Sequence, residues 1–156
     1  MKIENDDFAR YRAAVAQSQD GAILSFGGRT FDGRFCANLN RIILDIQART
    51  CVRENVSNPF PPLASAALKT VSNSEFMLVG GLHENGAFSN SGFIFEIEGA
   101  AVKMKREFKL PFGIYGHQLE VLDQDRILLI GGMTDLPLEN DIVIQYFLKS
   151  QKALVD

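Results

Sequence analysis

The chain runs three times from a short apolar segment directly into a pair of glycines. The pairs are Gly27-Gly28, Gly80-Gly81 and Gly131-Gly132, and their second members stand 53 and then 51 residues apart. A sequence period of this length is typical of architectures in which one structural unit is repeated and each unit packs on the next. The period therefore predicts three stacked units within the 156 residues.

The residues before each glycine pair share one pattern. The 14 preceding residues align without a gap, so that Ala13, Ala66 and His117 occupy one column. Polar triplets occupy another column, and an apolar run follows each of them: Gln19-Asp20-Gly21, Ser72-Asn73-Ser74 and Asp123-Gln124-Asp125. This pattern predicts a strand, a tight polar turn and a second strand in every unit.

A third apolar run follows each glycine pair after a loop of variable length. The runs cover residues 39–46, 92–97 and 142–148, and they are preceded by Asn38, Asn90 and Asn140. They are rich in Ile, Val and Phe, which favour strands. A weaker fourth strand is predicted near residues 51–52, 101–104 and 153–155.

Four antiparallel strands joined by short turns, at a period near 50 residues, are the plan of a β-propeller blade. The apolar runs are nearly continuous, which indicates strands buried on both faces, because a half-exposed strand would alternate. We therefore expect an all-β chain of three four-stranded antiparallel blades.

The glycine pairs have a structural explanation in such a blade. Glycine adopts positive φ and lets another backbone approach closely, so a pair at a strand end permits a sharp exit from a crowded junction. The alternative is that these are ordinary loop glycines, which three pairs in register make a poor explanation. We expect the six glycines, with Asn38, Asn90 and Asn140, to be structural repeat positions.

The succession of apolar strand, Gly-Gly, loop, Asn and apolar strand resembles the kelch repeat. It is seen in residues 76–81 followed by residues 90–96, and the third unit adds Tyr115-Gly116-His117, similar to the Gly-His that often opens a kelch unit. The resemblance covers residues 10–156, with blades at about 10–56, 62–108 and 113–156 after an extension of residues 1–9. The sequence departs from the family in having no Trp, which is usual in the fourth strand.

Composition limits the class of protein. Hydrophobic residues make up 46% of the chain, which suffices for a globular core, and the net charge of -3 does not suggest a nucleic-acid-binding surface. A cluster of basic residues, Lys103, Lys105, Arg106 and Lys109, suits an outer strand or, as the alternative, a site for an acidic partner.

The N-terminus lacks a signal peptide pattern and no run is long enough for a membrane span, so we predict a cytoplasmic location and no membrane partner. The two cysteines, Cys36 and Cys51, have neither metal nor redox spacing and agree with a reducing compartment.

The sequence offers little material for catalysis. It contains two histidines, His83 and His117, and His117 lies inside the repeat frame, where a structural role is favoured over a ligand or acid-base role. No nucleophile elbow, P-loop or dinucleotide fingerprint is present. We expect no enzyme activity, no cofactor and no metal.

The loops after the glycine pairs are the predicted binding regions, because loops on a rigid scaffold often carry function. They contain arginines and aromatic residues, the types that anchor interfaces. The residues predicted to contact a protein partner are Arg29, Phe31, Arg34, His83 and Phe88. The alternative is that Phe31, Phe35 and Phe88 pack beneath their own loops. In the third loop the corresponding residues are Met133, Asp135 and Leu136.

Three blades make an incomplete propeller, since propellers usually contain about 4 to 8 blades. The chain is then a piece of a longer kelch protein, one of two copies that self-associate to complete a ring, or an open stack covered by a partner. The predicted function is a non-catalytic kelch-type interaction module. As an alternative, the resemblance implies the accessory kelch segment of a modular enzyme, such as a leucine carboxyl methyltransferase-like tRNA wybutosine-synthesising enzyme.

Overall fold

A computed structural model describes residues 10–137 and 143–155 of the chain. These residues contain strands and no helix. Within them the strands form three four-stranded antiparallel sheets and two two-stranded ribbons. The predicted all-β class and the predicted four-stranded antiparallel sheets are therefore confirmed.

The strands are numbered in chain order within the described residues. They are β1 (Arg10–Tyr11), β2 (Ala14–Gln17), β3 (Ile23–Phe26), β4 (Arg29–Thr30), β5 (Leu39–Asp45), β6 (Thr50–Val56), β7 (Ala67–Thr70), β8 (Glu75–Val79), β9 (Ser91–Glu98), β10 (Ala101–Lys109), β11 (Ile114–Tyr115), β12 (Gln118–Val121), β13 (Arg126–Ile130), β14 (Met133–Thr134), β15 (Val143–Phe147) and β16 (Lys152–Val155). Sheet I has the order β2-β3-β5-β6, sheet II β7-β8-β9-β10 and sheet III β12-β13-β15-β16, while β1 pairs with β4 and β11 with β14.

The fourth strands of sheets I and II are longer than the sequence predicted. β6 covers Thr50–Val56 and β10 covers Ala101–Lys109, whereas the prediction reached only residues 51–52 and 101–104. Most residues of both strands are exposed, and in β10 most of the exposed side chains are charged. Such strands lack the apolar run on which the prediction depended.

Sheet II lies between the other two sheets. In its strand β8, Phe76 and Leu78 join one buried cluster, and Met77 and Val79 join the other. Successive side chains of a strand point to opposite faces, so β8 is apolar on both of its faces. In the two outer sheets, buried and exposed residues alternate more along each strand. In β13 of sheet III, for example, Leu129 is fully buried and Ile130 is 38% exposed. Burial on both faces is therefore a property of the middle sheet.

The segment that connects sheet I to sheet II contributes to the core between them. Phe60, in this segment, is buried, and its ring centroid lies 5.5 Å from that of Phe26 in sheet I. The same ring lies 5.1 Å from Phe93 and 5.0 Å from Phe95 in sheet II. Phe60 thus joins the two sheets through aromatic contacts.

The glycine pairs join each sheet to the next through the backbone. The Gly28 N–H donates to the Leu63 carbonyl oxygen, and the Gly81 N–H donates to the Ile114 carbonyl oxygen, each with an N···O distance of 2.8 Å. Leu63 and Ile114 precede the first strands of sheets II and III at equivalent positions, 51 residues apart. We call this repeated contact the glycine interlock.

The interlock requires glycine at the first position of the pair. Gly27, Gly80 and Gly131 all have φ of +66°, a region that favours glycine. A Cβ on Gly27 would overlap the Leu63 carbonyl oxygen, and a Cβ on Gly80 would overlap that of Ile114. The expected close backbone approach is present at these two pairs, so Gly27 and Gly80 are not ordinary loop glycines.

The asparagines that precede the third strands are not structurally equivalent. The Asn38 carbonyl accepts a hydrogen bond from the Gly27 N–H, whereas Ser91 provides the corresponding carbonyl for Gly80. Asn90 lies one position earlier, and its carbonyl accepts from the Leu110 N–H at 2.7 Å. The two loops have the same length, since Phe26 pairs with Leu39 and Val79 with Gly92, each 13 residues later. The expected difference in loop length is therefore wrong, and it is the position of the asparagine within the loop that differs by one residue. Asn140 lies outside the described residues.

Replacing Gly80 with alanine should destabilise the fold through the interlock. Gly99 is the matched control, because its φ of +59° is similar and no atom of residues 10–137 or 143–155 lies within 4 Å of its Cβ position. Gly99→Ala should cost only the backbone strain of about 1–2 kcal/mol. Gly80→Ala should cost about 1–3 kcal/mol more, because the Ile114 carbonyl must move. Urea unfolding of both variants measures the difference, and equal losses of stability would contradict the interlock.

Candidate interaction face

The loops that follow the glycine pairs lie at one end of their sheets. We define the loop face as residues 29–37, 82–90 and 133–137. The first two loops adjoin at Pro62, which lines a cleft with residues of each. The second and third units meet where the Phe88 ring packs on Tyr115, with centroids 4.7 Å apart. The three loops therefore form neighbouring parts of one surface.

The first loop is a tight turn with an exposed aromatic residue. The Thr30 N–H donates to the Arg34 carbonyl at 2.9 Å, and the Gly33 N–H donates to the Thr30 carbonyl at 2.9 Å. The Asp32 carboxylate accepts from the Thr30 hydroxyl and from Arg34 Nε, and these hydrogen bonds lower the pKa of Asp32. The turn leaves the Phe31 side chain 85% exposed.

Arg29 stabilises this loop from below. Its guanidinium lies over the Phe35 ring, 4.8 Å from the centroid, and 5.9 Å from the centroid of Tyr11. Its Nε atom is buried and has no hydrogen-bond partner among the described residues. Cation-π contacts of this kind hold two segments of chain together. The structure therefore gives Arg29 a packing position instead of an exposed one.

A cleft of about 730 Å³ lies beside the first loop. Its lining combines aromatic, charged and backbone groups: Arg10, Thr30, Phe31, Asp32, Arg34, Phe35, Cys36, Ala37, Asn38 and Pro62. Arg34 has a side chain that is 77% exposed and an ion pair with Asp32 at 2.7 Å. Apolar surface with a few convergent polar groups is the usual composition of a binding cleft.

The second loop is also a closed turn. The His83 N–H donates to the Ala87 carbonyl at 2.9 Å, and the Gly86 N–H donates to the His83 carbonyl at 2.9 Å. The Asn85 carboxamide oxygen accepts from the Ala87 N–H at 3.0 Å. Half-buried His83 lines a smaller cleft of about 410 Å³ together with Glu84, Asn85 and Pro62.

Phe88 anchors the second loop to the third unit. Its ring meets Tyr115 edge to face, and its backbone lies so close to Gly113 that a Cβ there would be 2.5 Å from the Phe88 carbonyl oxygen. Phe88 and Phe35 are half-buried, as the packing alternative predicted, whereas Phe31 is not. Of the five predicted contact residues, Phe31 and Arg34 are thus exposed, Arg29 and Phe88 are packed, and His83 is half-buried.

The third loop is fixed by a carboxylate. Asp135 Oδ1 accepts from the Gly113 N–H at 2.8 Å, and the Asp135 N–H donates to the Gly113 carbonyl at 3.2 Å. The Tyr115 hydroxyl lies 2.9 Å from the Met133 sulfur. Met133 and Leu136 are 50% and 40% exposed. They extend the apolar part of the loop face.

Sequence reasoning missed Tyr11 and Pro62 as parts of this surface. The Tyr11 ring lies 6.3 Å from the Phe31 centroid, and Pro62 lines both clefts. Both residues precede the strands of their own sheet, away from the variable loops in sequence. Pairing of Tyr11 with Arg29 brings Tyr11 to the loop face, and the hydrogen bond from Gly28 to Leu63 brings Pro62 there. No local sequence pattern shows these long-range contacts.

His117 is a buried residue between sheets II and III. Its side chain contacts Gly80, where a Cβ would lie 2.8 Å from the imidazole Cε1 atom. Neither ring nitrogen has a hydrogen-bond partner among the described residues. Burial lowers the pKa of His117 from 6.5 to about 4, so the ring is neutral at pH 7. These contacts agree with a structural role.

The basic residues of β10 are occupied by neighbouring groups. Lys103, Lys105 and Lys109 form ion pairs with Glu98, Glu96 and Glu107 respectively. Arg106 donates from Nη2 to the Leu148 carbonyl at 2.5 Å. This arrangement suits a solvated outer strand better than a site for an acidic partner.

Within residues 10–137 and 143–155 there is no group of three or more His, Cys, Asp or Glu side chains that could hold a metal ion. Cys36 and Cys51 are both free thiols and half-buried. The same part of the chain has no helix of the length and apolarity needed to cross a membrane. The candidate binding features of the surface are therefore the clefts and the exposed side chains of the loop face.

No protein-family model matches the sequence. A search of curated proteins also finds no match.

His117 should make the stability of the protein depend on pH. In the unfolded chain the ring titrates near pH 6.5, and in the folded chain near 4, so the unfolded state binds more protons between these values. Stability is then full above pH 6.5 and falls by about 3 kcal/mol as the pH decreases to 4. His117→Leu should lack this part of the decline in unfolding free energy, which denaturant titrations at several pH values measure.

The matched control for this prediction is His83→Gln. This variant removes the other histidine of the sequence and leaves His117 in place, so it should keep the decline that is due to His117. If His117→Leu and the wild type lose stability in parallel between pH 6.5 and 4, the buried neutral imidazole is not the cause.

Proposed function

We propose that this chain is a non-catalytic, kelch-type protein-interaction module. It binds a protein partner through the loop face, and the main contact is the first loop with Phe31 and Arg34. The three sheets are proposed to be blades of an incomplete β-propeller. The scaffold supplies rigidity, and the loops, which differ in sequence, supply recognition.

The blade proposal is supported by the repeated plan of the sheets. Each sheet has four antiparallel strands, and in sequence order the first, second, third and fourth strands are neighbours. The first strands contact one another from sheet to sheet, since the Lys69 ammonium on β7 binds the Glu120 carboxylate on β12 at 2.9 Å. Sheets that pack face to face with their first strands together match the radial arrangement of blades.

The exposure of Phe31 is the observation that carries the functional proposal. A Phe ring that is 85% exposed loses the stabilisation of burial, about 1.5–3 kcal/mol for a large apolar side chain. The turn around it is well ordered by hydrogen bonds, so the ring is held outward by a defined backbone. An aromatic side chain presented on a rigid turn beside a cleft is typical of an interface anchor.

The neighbouring groups define the kind of partner. Phe31, Tyr11 and Phe35 offer apolar and aromatic surface, and the exposed guanidinium of Arg34 lies next to it. A guanidinium binds carboxylates through several N–H groups. We therefore propose a partner segment that places an apolar side chain on Phe31 and a carboxylate or carbonyl group on Arg34.

The double variant Phe31→Ala, Arg34→Ala should lose partner binding while the fold stays intact. Both side chains are exposed, so their truncation should change the unfolding midpoint very little. Because central anchors cost about 2 kcal/mol or more, recovery of the specific partners in quantitative affinity capture should fall by at least about tenfold.

Ile46→Ala is the matched control for this experiment. Ile46 is 88% exposed, similar to Phe31, but it follows β5 at the opposite end of sheet I. Proteins that the wild type and Ile46→Ala recover, and the double variant does not, identify the partner. Equal recovery by all three chains would contradict binding through the first loop.

A further inference from the structure

The glycine interlock is left incomplete at sheet III. Gly131 and Gly132 have φ of +66° and +84°, the same backbone form as the other pairs. Yet no atom of the described residues lies within 4 Å of the Gly131 Cβ position, whereas the Leu63 and Ile114 carbonyls occupy that place at Gly27 and Gly80. The Gly132 N–H also has no hydrogen-bond acceptor among the described residues. The Gly131-Gly132 pair therefore has the backbone form of an interlock but lacks, among the described residues, the carbonyl group that would complete it.

The face of sheet III that points away from sheet II repeats the apolar pattern of the two interfaces inside the stack. We call it the exposed face of sheet III. We define it by Leu128, Ile130, Val143 and Leu154. From the strand registers, Leu128, Ile130 and Val143 take the positions that Leu24, Phe26 and Leu39 take on sheet I. Phe26 is 1% exposed under sheet II, whereas Ile130 is 38% and Leu154 56% exposed. This face has the apolar residues of an interface and no sheet on it among the described residues.

We propose that the exposed face of sheet III binds sheet I of a second copy of this chain. The second copy carries the equivalent of the missing element, because its ribbon β1–β4 pairs Arg10 with Thr30. The ribbon β11–β14, which completes the interlock of sheet II, pairs Ile114 with Thr134 in the same register. A second copy thus places its Arg10 backbone over Gly131 as Ile114 lies over Gly80.

Sheet I has an outer face that can receive this contact. Its apolar residues are half-buried Ile23 and Ile42 and Val15, which is 57% exposed. Its central polar residue, Asn40, is already satisfied, since it accepts from Arg10 Nη2 at 3.0 Å and donates to Asn55 Oδ1 at 2.7 Å. Covering a hydrogen-bonded side chain avoids the cost of an unsatisfied buried group.

The contact joins unlike faces, so its symmetry decides the size of the assembly. Two copies related by a two-fold axis form both contacts at once and give a ring of twice three sheets. That number falls within the range of about 4 to 8 found in propellers. Closed head-to-tail rings are stable, finite assemblies, whereas a rotation that does not close gives open chains. We therefore infer a closed dimer.

Light scattering and sedimentation of the full chain over a range of concentrations test the proposal. The wild type should have the mass of two chains. Gly131→Asn should raise the dimer dissociation constant at least about tenfold, because asparagine tolerates positive φ but its side chain obstructs the interlock. Val15→Glu, on the other face, should weaken the dimer equally, since a head-to-tail contact uses both faces.

Gly99→Asn is the control, because Gly99 has φ of +59° and open space but lies in the turn between β9 and β10. It should remain dimeric, and circular dichroism should show that all three variants fold. A wild type that is monomeric at every concentration would overturn the proposal. A dimer that Gly131→Asn leaves unchanged, or that Val15→Glu does not affect, would also overturn it. The Phe31 site is not involved, so this result is independent of partner binding.

Discussion

The arrangement of the three sheets depends on a backbone contact that only glycine permits. At Gly27 and Gly80 a carbonyl of the following sheet sits where a side chain would begin, and the next glycine donates its N–H to that carbonyl. This contact fixes the position of one sheet on the next. The side chains on facing strands, such as Phe26 and Phe76, can then meet in a common core. Backbone contacts thus set the register, and apolar burial supplies most of the stabilisation.

The same arrangement explains why the loops can differ from unit to unit. Because the interlock and the cores hold the sheets, the loops need only local anchors. The structure gives each loop a different one: the Arg29 guanidinium, the Phe88 ring and the Asp135 carboxylate. Anchoring groups that face inward leave Phe31 and Arg34 as the exposed groups of the first loop, which is the physical basis of the proposed recognition.

The period and the glycine pairs were sufficient to predict the sheets, because apolar runs and polar turns are local signals. The full length of β10 was not predicted, since its charged residues leave no apolar run. Packing of Phe88 was predicted as an alternative, but its partner Tyr115 was not, and neither was the contact of Arg29 with Tyr11, because both tyrosines reach the loops from other segments. The inferred equivalence of Asn38 and Asn90 was wrong for a different reason. The two loops have equal length, but the asparagine lies one residue earlier in the second, so a shared residue type did not mean a shared position.

Native-state hydrogen exchange at the Gly28 and Gly81 amides tests the interlock most directly. If the two N–H groups hold the sheets together, both should exchange only through global unfolding, with an opening free energy equal to that of the core strands. If either amide exchanges as rapidly as those of the exposed loops, the sheets are not joined there and the account is wrong.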